Sequence, residues 1–223
     1  MSVKLFIQAI LKFALGVVLV GALIFLPAGT FAYLNGWLLM GILFVPMFLA
    51  GIVMMIQNPM LLKLRLEAKE SRKTQDLVVK LSGLMFIAAF VLAGLGFRFG
   101  WYQLPKAVSI GGSITFLLAY VFYAEVLREN TYLSRIIQVQ ENQKVIDTGL
   151  YGIVRHPMYS ATLLLFLSMP LVLGSVFALA VMLVYPLLIA MRIENEEQLL
   201  EAELPGYTAY KAKVKYRLIP FIW

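Results

Sequence analysis

Residues 156–192 read HPMYSATLLLFLSMPLVLGSVFALAVMLVYPLLIAMR, and how this run is divided decides the fold. It is apolar from Met158 to Met191, which is too long for one ordinary membrane crossing of about 20 residues. Pro170 and Gly174 sit near its middle and leave halves of about 16 residues, each slightly short of a full span. Two tilted helices joined by a turn near Pro170–Ser175 go in and come back, so Arg192 returns to the side on which His156 lies. One long tilted helix would instead carry Arg192 and the lysine-rich tail to the opposite side, against the distribution of basic residues. The hairpin is the better reading.

Immediately before the run stands Gly149-Leu150-Tyr151-Gly152-Ile153-Val154-Arg155-His156-Pro157-Met158-Tyr159, which contains the only histidine of the chain. Proline fixes φ and has no N–H, which suits a first helical turn. The sequence therefore puts His156 at the N-cap of a helix that begins near Pro157. The free N–H groups of that turn, beside Arg155, favour an anionic ligand group. Alternatively, Arg155 anchors a membrane helix among the lipid headgroups. Beyond the run, Arg192 and Glu196 lie four apart on one helical face close to the membrane boundary, where ionisable groups tend to be functional. Glu194, Glu201 and the later lysines also fit plain complementation of the helix dipole. Pro205-Gly206 ends that helix.

Composition sets the class. Of 223 residues 61% are hydrophobic and only 14% charged, at a mean hydropathy of +0.86. A soluble domain of this size cannot bury so much apolar surface. With no cysteine, disulfides, iron–sulfur clusters and thiolate metal sites are excluded, and a single histidine leaves no transition-metal site expected. The net charge of +7 points to cytoplasmic loops and anionic lipid headgroups rather than to nucleic acid.

The expectation is an all-α, polytopic integral membrane protein with four spans, a C-terminal helical hairpin and a cytoplasmic C-terminal helix. Leu5–Leu26 is the first span, too long for a signal peptide, and Pro27-Ala28-Gly29 ends it. Trp37–Ile56 is the second, forming a tight hairpin with the first. Asn58-Pro59 then opens a basic segment at about 58–76, read as an amphipathic surface helix, with a solvated loop as the alternative. Leu77–Phe97 and Ala107–Leu127 are the third and fourth spans. Arg98 and Lys106 alone fall in the loop between these two, whereas Lys63, Arg65, Lys69, Arg72, Lys73, Arg128, Arg135, Lys144 and Arg155 lie on the other side. The positive-inside rule makes that side, with both termini, cytoplasmic.

At the level of motifs, Asp147–Tyr159 (DTGLYGIVRHPMY), Arg192–Leu200 (RIENEEQLL), Gly206–Tyr210 (GYTAY) and Arg217–Phe221 (RLIPF) resemble the signature of the isoprenylcysteine carboxyl methyltransferase family and its phospholipid methyltransferase relatives. The resemblance covers roughly Glu125 to Trp223, and the two halves of the signature, 147–159 and 192–221, in the right order and separation make it specific. It implies a membrane enzyme that uses S-adenosylmethionine, releases S-adenosylhomocysteine and lacks a Rossmann domain. No glycine fingerprint of that fold is present either. It divides the chain into N-terminal transmembrane helices, 1–127, and a cofactor-binding catalytic region, 128–223. By matched position it implies cofactor contacts at Gln140, Gln143, Lys144, Val145, Ile146, Tyr151, His156, Pro157, Met158, Tyr159 and Glu196, with Arg192 at the substrate. Ala161 stands where the family often has glycine, which narrows the pocket slightly.

The residue types suit that chemistry. Glu196 matches the cofactor's ammonium, and His156, the helix start and Arg155 match its carboxylate. Tyr151 and Tyr159 offer faces to adenosine or to a sulfonium. An acceptor carboxylate needs no base and would be oriented by Arg192. An acceptor amine must lose a proton, for which Glu197 is the nearest group. Arg192, Arg155 and Glu197 are thus the catalytic candidates, and the acceptor is a membrane lipid or a lipidated molecule. Two other classes stand beside this one: an NADPH-dependent membrane reductase, which the chain length disfavours, and a non-catalytic membrane scaffold.

Overall fold

The computed structural model describes residues 3–66, 73–134 and 136–223, and among them every regular element is helical. Helix α1 is Val3–Ala28, α2 Leu34–Gln57, α3 Pro59–Leu66, α4 Lys73–Arg98 and α5 Lys106–Glu129. A single 3-10 turn at Gly149–Gly152 precedes α6, Pro157–Leu173. Then follow α7, Val176–Met182, α8, Tyr185–Glu203, and α9, Tyr207–Lys213.

Among the described residues five stretches are long and apolar enough to cross a membrane: Val3–Ala28, Leu34–Gln57, Gln75–Arg98, Lys106–Glu129 and Val176–Glu203. At most a third of any of their most apolar windows is buried within the protein. Leu11, Leu15, Val18, Leu19 and Val121, for example, face outward. An apolar exterior of this extent requires lipid around it. The chain is an integral membrane protein.

Within the segment at 58–76 the described residues form α3 and the start of α4. Asn58 caps α3, its Oδ1 accepting from the Leu61 N–H at 3.0 Å, with Pro59 in the first turn where its missing N–H costs nothing. Leu61, Leu62 and Leu64 are buried while Lys63 is exposed, so residues 59–66 are an amphipathic helix and not a solvated loop. Lys12 of α1 donates to the Leu66 carbonyl. Lys69 and Arg72, like Arg135, lie outside the described residues. Helix α4 starts at Lys73, a turn before the apolar run, and carries an exposed Asp76–Lys80 pair at 2.6 Å with i,i+4 spacing.

The run that decides the fold is broken twice. Helix α6 ends where Gly174 adopts φ 72°, a left-handed conformation open to glycine. The Ser175 N–H donates to the Pro170 carbonyl at 3.0 Å, closing the turn. Ser175 then caps α7, accepting from the Ala178 N–H at 3.2 Å. The second break, at Leu183–Val184, has no counterpart in the sequence reading; Pro186 explains it, since its ring cannot continue the i−4 hydrogen-bond ladder of the preceding helix. At the turn, the Tyr33 hydroxyl donates to Leu173 O at 2.6 Å and the Leu104 N–H to Gly174 O at 2.8 Å. The apex of the hairpin therefore sits with the α1–α2 and α4–α5 loops, at the end away from His156.

Close packing fixes the angle of the hairpin against α5. A Cβ placed on Gly112 would meet the Leu171 Cβ at 2.7 Å and the Val172 backbone nitrogen at 3.1 Å, whereas one on Gly111 meets nothing within 4 Å. The two alanine variants should therefore move stability in opposite directions. Gly111→Ala gains up to about 1 kcal/mol from helix propensity. Gly112→Ala loses roughly 1–2 kcal/mol through overpacking. Melting temperatures of the detergent-purified variants check this.

Candidate functional site

The turn at the start of α6 is held by the C-terminal tail. His156 is the N-cap and Pro157 opens the helix. The N–H groups of Arg155 and His156 donate to the carbonyls of Tyr216 and Arg217, both at 2.9 Å. Ser160 Oγ donates to Leu218 O at 2.7 Å. One short piece of tail is thereby laid along the motif in an extended arrangement.

The centre of this clamp is Glu197 of α8, whose side chain is only 3% exposed. Its Oε1 accepts from Arg155 Nε at 2.6 Å and lies 3.1 Å from His156 Nε2. Its Oε2 accepts from Arg217 Nε at 3.1 Å, with the Lys211 ammonium 3.9 Å away. Arg155 also donates through Nη1 to Val214 O and Lys215 O, both at 2.8 Å. A buried carboxylate is tolerable only with this degree of pairing. Both oxygens of Glu197 are therefore engaged, and Arg155 gives its Nε to Glu197 and its Nη1 to two carbonyls.

A cleft opens beside the clamp, with an empty space of about 810 Å³ that is continuous with solvent. Of the residues expected from the sequence, Gln143, Lys144, Val145, Ile146, Tyr151, Arg155, His156, Met158, Tyr159, Arg192 and Glu196 line it. Gln140, Pro157 and Glu197 do not. Gln140 Nε2 donates to the Tyr132 carbonyl and its N–H to Gln143 Oε1 at 2.9 Å, so Gln140 shapes the loop from behind. Pro157 is buried in the helix start.

On one wall, the Tyr159 hydroxyl donates to Glu196 Oε2 and accepts from Arg192 Nε at 2.9 Å. Arg192 and Glu196, four residues apart on α8, are thus joined through a residue of α6. Opposite, the loop before the motif is braced by Asn130, whose Nδ2 donates to Tyr151 Oη at 3.1 Å and whose Oδ1 accepts from the Tyr132 N–H at 3.0 Å. Below it, Leu204, Tyr207, Tyr210 and Val214 pack with Val139 and Val145. The Tyr210 hydroxyl donates to Tyr151 O at 2.7 Å. Burial pushes the phenols of Tyr151, Tyr207 and Tyr210 up, away from ionisation. All three are neutral donors at any physiological pH.

Tyr207 is the informative one. It lines the cleft, it is buried, and its hydroxyl has no hydrogen-bond partner among the described residues. A buried hydroxyl is rarely left unpaired unless something else completes it. Sequence reasoning placed Tyr207 in the tail without a site role, as it did Leu200, Leu204 and Tyr210. Their shared feature is the three- and four-residue spacing of apolar and aromatic side chains from Leu200 to Val214, which marks a packed face rather than a solvated tail. Among the described residues no group of acidic, histidine or cysteine side chains could hold a metal ion.

Removing the hub should loosen the tail. Glu197→Gln leaves Arg155 buried beside an amide, at a cost of roughly 3–5 kcal/mol. Glu201→Gln breaks only the partly exposed Lys211 pair, worth under about 1 kcal/mol. Thermal unfolding, with proteolysis of the C-terminal tail as a second readout, should separate the two clearly.

Residues 107–204 match the family described as phospholipid methyltransferase, and no curated protein matches the chain. The matched stretch runs from α5 to the end of α8, so it takes in the bracing loop, the Arg155-His156-Pro157 turn, the hairpin and Glu197. Over these residues the chain, an integral membrane protein, is similar to the phospholipid methyltransferase family, which includes the isoprenylcysteine carboxyl methyltransferases.

Proposed function

We propose that this protein transfers the methyl group of S-adenosylmethionine to a lipid-like acceptor, most directly to a carboxylate such as that of an isoprenylcysteine. In this reading residues 1–127 form the transmembrane helices and residues 128–223 the cofactor-binding catalytic region. Four spans and the re-entrant hairpin leave both termini and the cleft at the cytoplasmic face. The excess of basic residues at that end supports the orientation.

The observation that carries the proposal is the cleft itself, with a carboxylate, a guanidinium and an unpaired buried hydroxyl along its wall. The Tyr207 hydroxyl suits a ligand rich in hydroxyl groups, as a nucleoside is. Glu196 would hold the ammonium, the 143–146 run and Tyr151 the nucleoside, and Met158 and Tyr159 the region of the sulfur. His156 would set the first turn of α6 against the carboxylate end. When bound, the cofactor supplies an electrophilic methyl group on a sulfonium.

Arg192 then orients the acceptor, its guanidinium held by Tyr159. A carboxylate is ionised at neutral pH and is already a nucleophile, so no base is required, and alignment and exclusion of water can lower much of the barrier. Methylation of an amine, such as a phospholipid headgroup, needs a proton acceptor. Glu197 is poorly placed for that, because its oxygens already accept from Arg155 and Arg217. Arg155 and Glu197 act as positioning residues in this account: they hold the motif and the tail together and touch neither reactant.

Two measurements test the proposal. S-adenosylhomocysteine at 100 times its Kd should stabilise the purified protein by about 2.7 kcal/mol, while NADPH leaves the melting temperature unchanged; the reverse would assign the cleft to a reductase. Arg192→Ala should lower methyl transfer by roughly 10²–10³-fold and leave the S-adenosylhomocysteine shift largely intact. Equal loss of both would take Arg192 out of the acceptor role.

A further inference from the structure

Outside the matched residues, one cation is built into the edge of the cleft. Arg65 lies in the last turn of α3 and is half-buried. Its Nη1 donates to Ser134 O at 3.3 Å and lies 3.7 Å from Met158 Sδ. Its Nη2 donates to the Tyr123 hydroxyl, and the guanidinium carbon sits 5.5 Å from the centroid of the Tyr123 ring. One side chain therefore joins α3 to α5, to the loop before the motif and to the first turn of α6.

Every one of these partners is neutral. Among the described residues no carboxylate pairs with Arg65, whereas Arg155 and Arg217 share Glu197 and Arg128 has Glu125. A partly desolvated guanidinium without a counter-charge is costly, and a tyrosine face offsets only part of that. Its planar fork is matched by a carboxylate or a phosphate. The position selects between them. Arg65 stands at the end of the apolar helices, on a short amphipathic helix with exposed Lys63 beside it, where a bilayer around those helices would bring its anionic headgroups. Ser134 and Met158, which it touches, both line the cleft.

We propose that Arg65, with Tyr123, binds the phosphate of a lipid headgroup at the rim of the cleft. Helix α3 thereby becomes part of the site although it lies outside the matched domain. The phosphate can come from a bilayer lipid that seals the rim or from the acceptor itself. No bond is made or broken at Arg65.

The test is binding of dodecyl phosphate, with dodecanol as the uncharged control, to the full chain purified in a non-ionic detergent. Arg65→Ala should weaken dodecyl phosphate by about tenfold, and Arg65→Lys, which keeps the charge without the fork, by less. Unchanged dodecanol binding and an unchanged S-adenosylhomocysteine response show that both variants are folded. Equal binding of dodecyl phosphate to wild type and variants, or none to wild type, overturns the inference, and neither result depends on whether methyl transfer occurs. The source of the phosphate follows from methyl-transfer kinetics. A KM raised in Arg65→Ala for vesicles of phosphatidylethanolamine, but not for S-farnesylcysteine, assigns it to the acceptor. Lost dodecyl phosphate binding with both KM values unchanged assigns it to a bilayer lipid.

Discussion

A buried carboxylate that gathers partners from two other stretches of chain is the constraint on which the rest of this structure depends. Glu197 arrives on α8, Arg155 and His156 come from the turn before α6, and Arg217 from the tail. Neither Glu197 nor Arg155 could remain charged and enclosed alone. Their mutual dependence forces the exit of the apolar hairpin against its entrance, and the tail against both. The cleft is the space left between this fixed turn, the wall of α8 and the loop braced by Asn130.

The hairpin has a second anchor at its other end. Gly174 turns the chain, and Tyr33 and Leu104 bind the carbonyls of the turn. Gly112 then allows α6 to press directly on α5. The N-terminal helices are thus the frame against which a short, 17-residue α6 is set at a defined depth. Through Arg65, helix α3 extends the same frame to the edge of the cleft.

Much of this was legible from local signals. His156-Pro157 marked a helix start because proline tolerates only the first turn, and Asn58-Pro59 marked another for the same reason. Pro170 and Gly174 marked the reversal because a left-handed residue ends a helix. Basic residues at one end of the spans suggested which ends belong together. What the sequence hid were interactions without a period. Arg155 meets Glu197 across 42 positions, and nothing in either neighbourhood announces the partner. Arg155 and Glu197 read only as candidates for chemistry, and their pairing with one another appears in the structure alone. Arg217 was visible inside a motif but without a role. Gln140 was carried over by position along a loop of uncertain length, and it turns its amide into the loop. Tyr207 stood out only once its burial and its missing partner could be seen together.

The central claim is that residues flanking the two ends of the hairpin share one face of the membrane. The chain has no cysteine, so single cysteines can be introduced at the exposed positions Thr148, Gln198 and Tyr102 and probed with a membrane-impermeant maleimide in sealed, oriented vesicles. The account predicts that Thr148→Cys and Gln198→Cys label from the same side and Tyr102→Cys from the other. Labelling of Thr148→Cys and Gln198→Cys from opposite sides would contradict it, because no cleft could then be built from both ends of the hairpin.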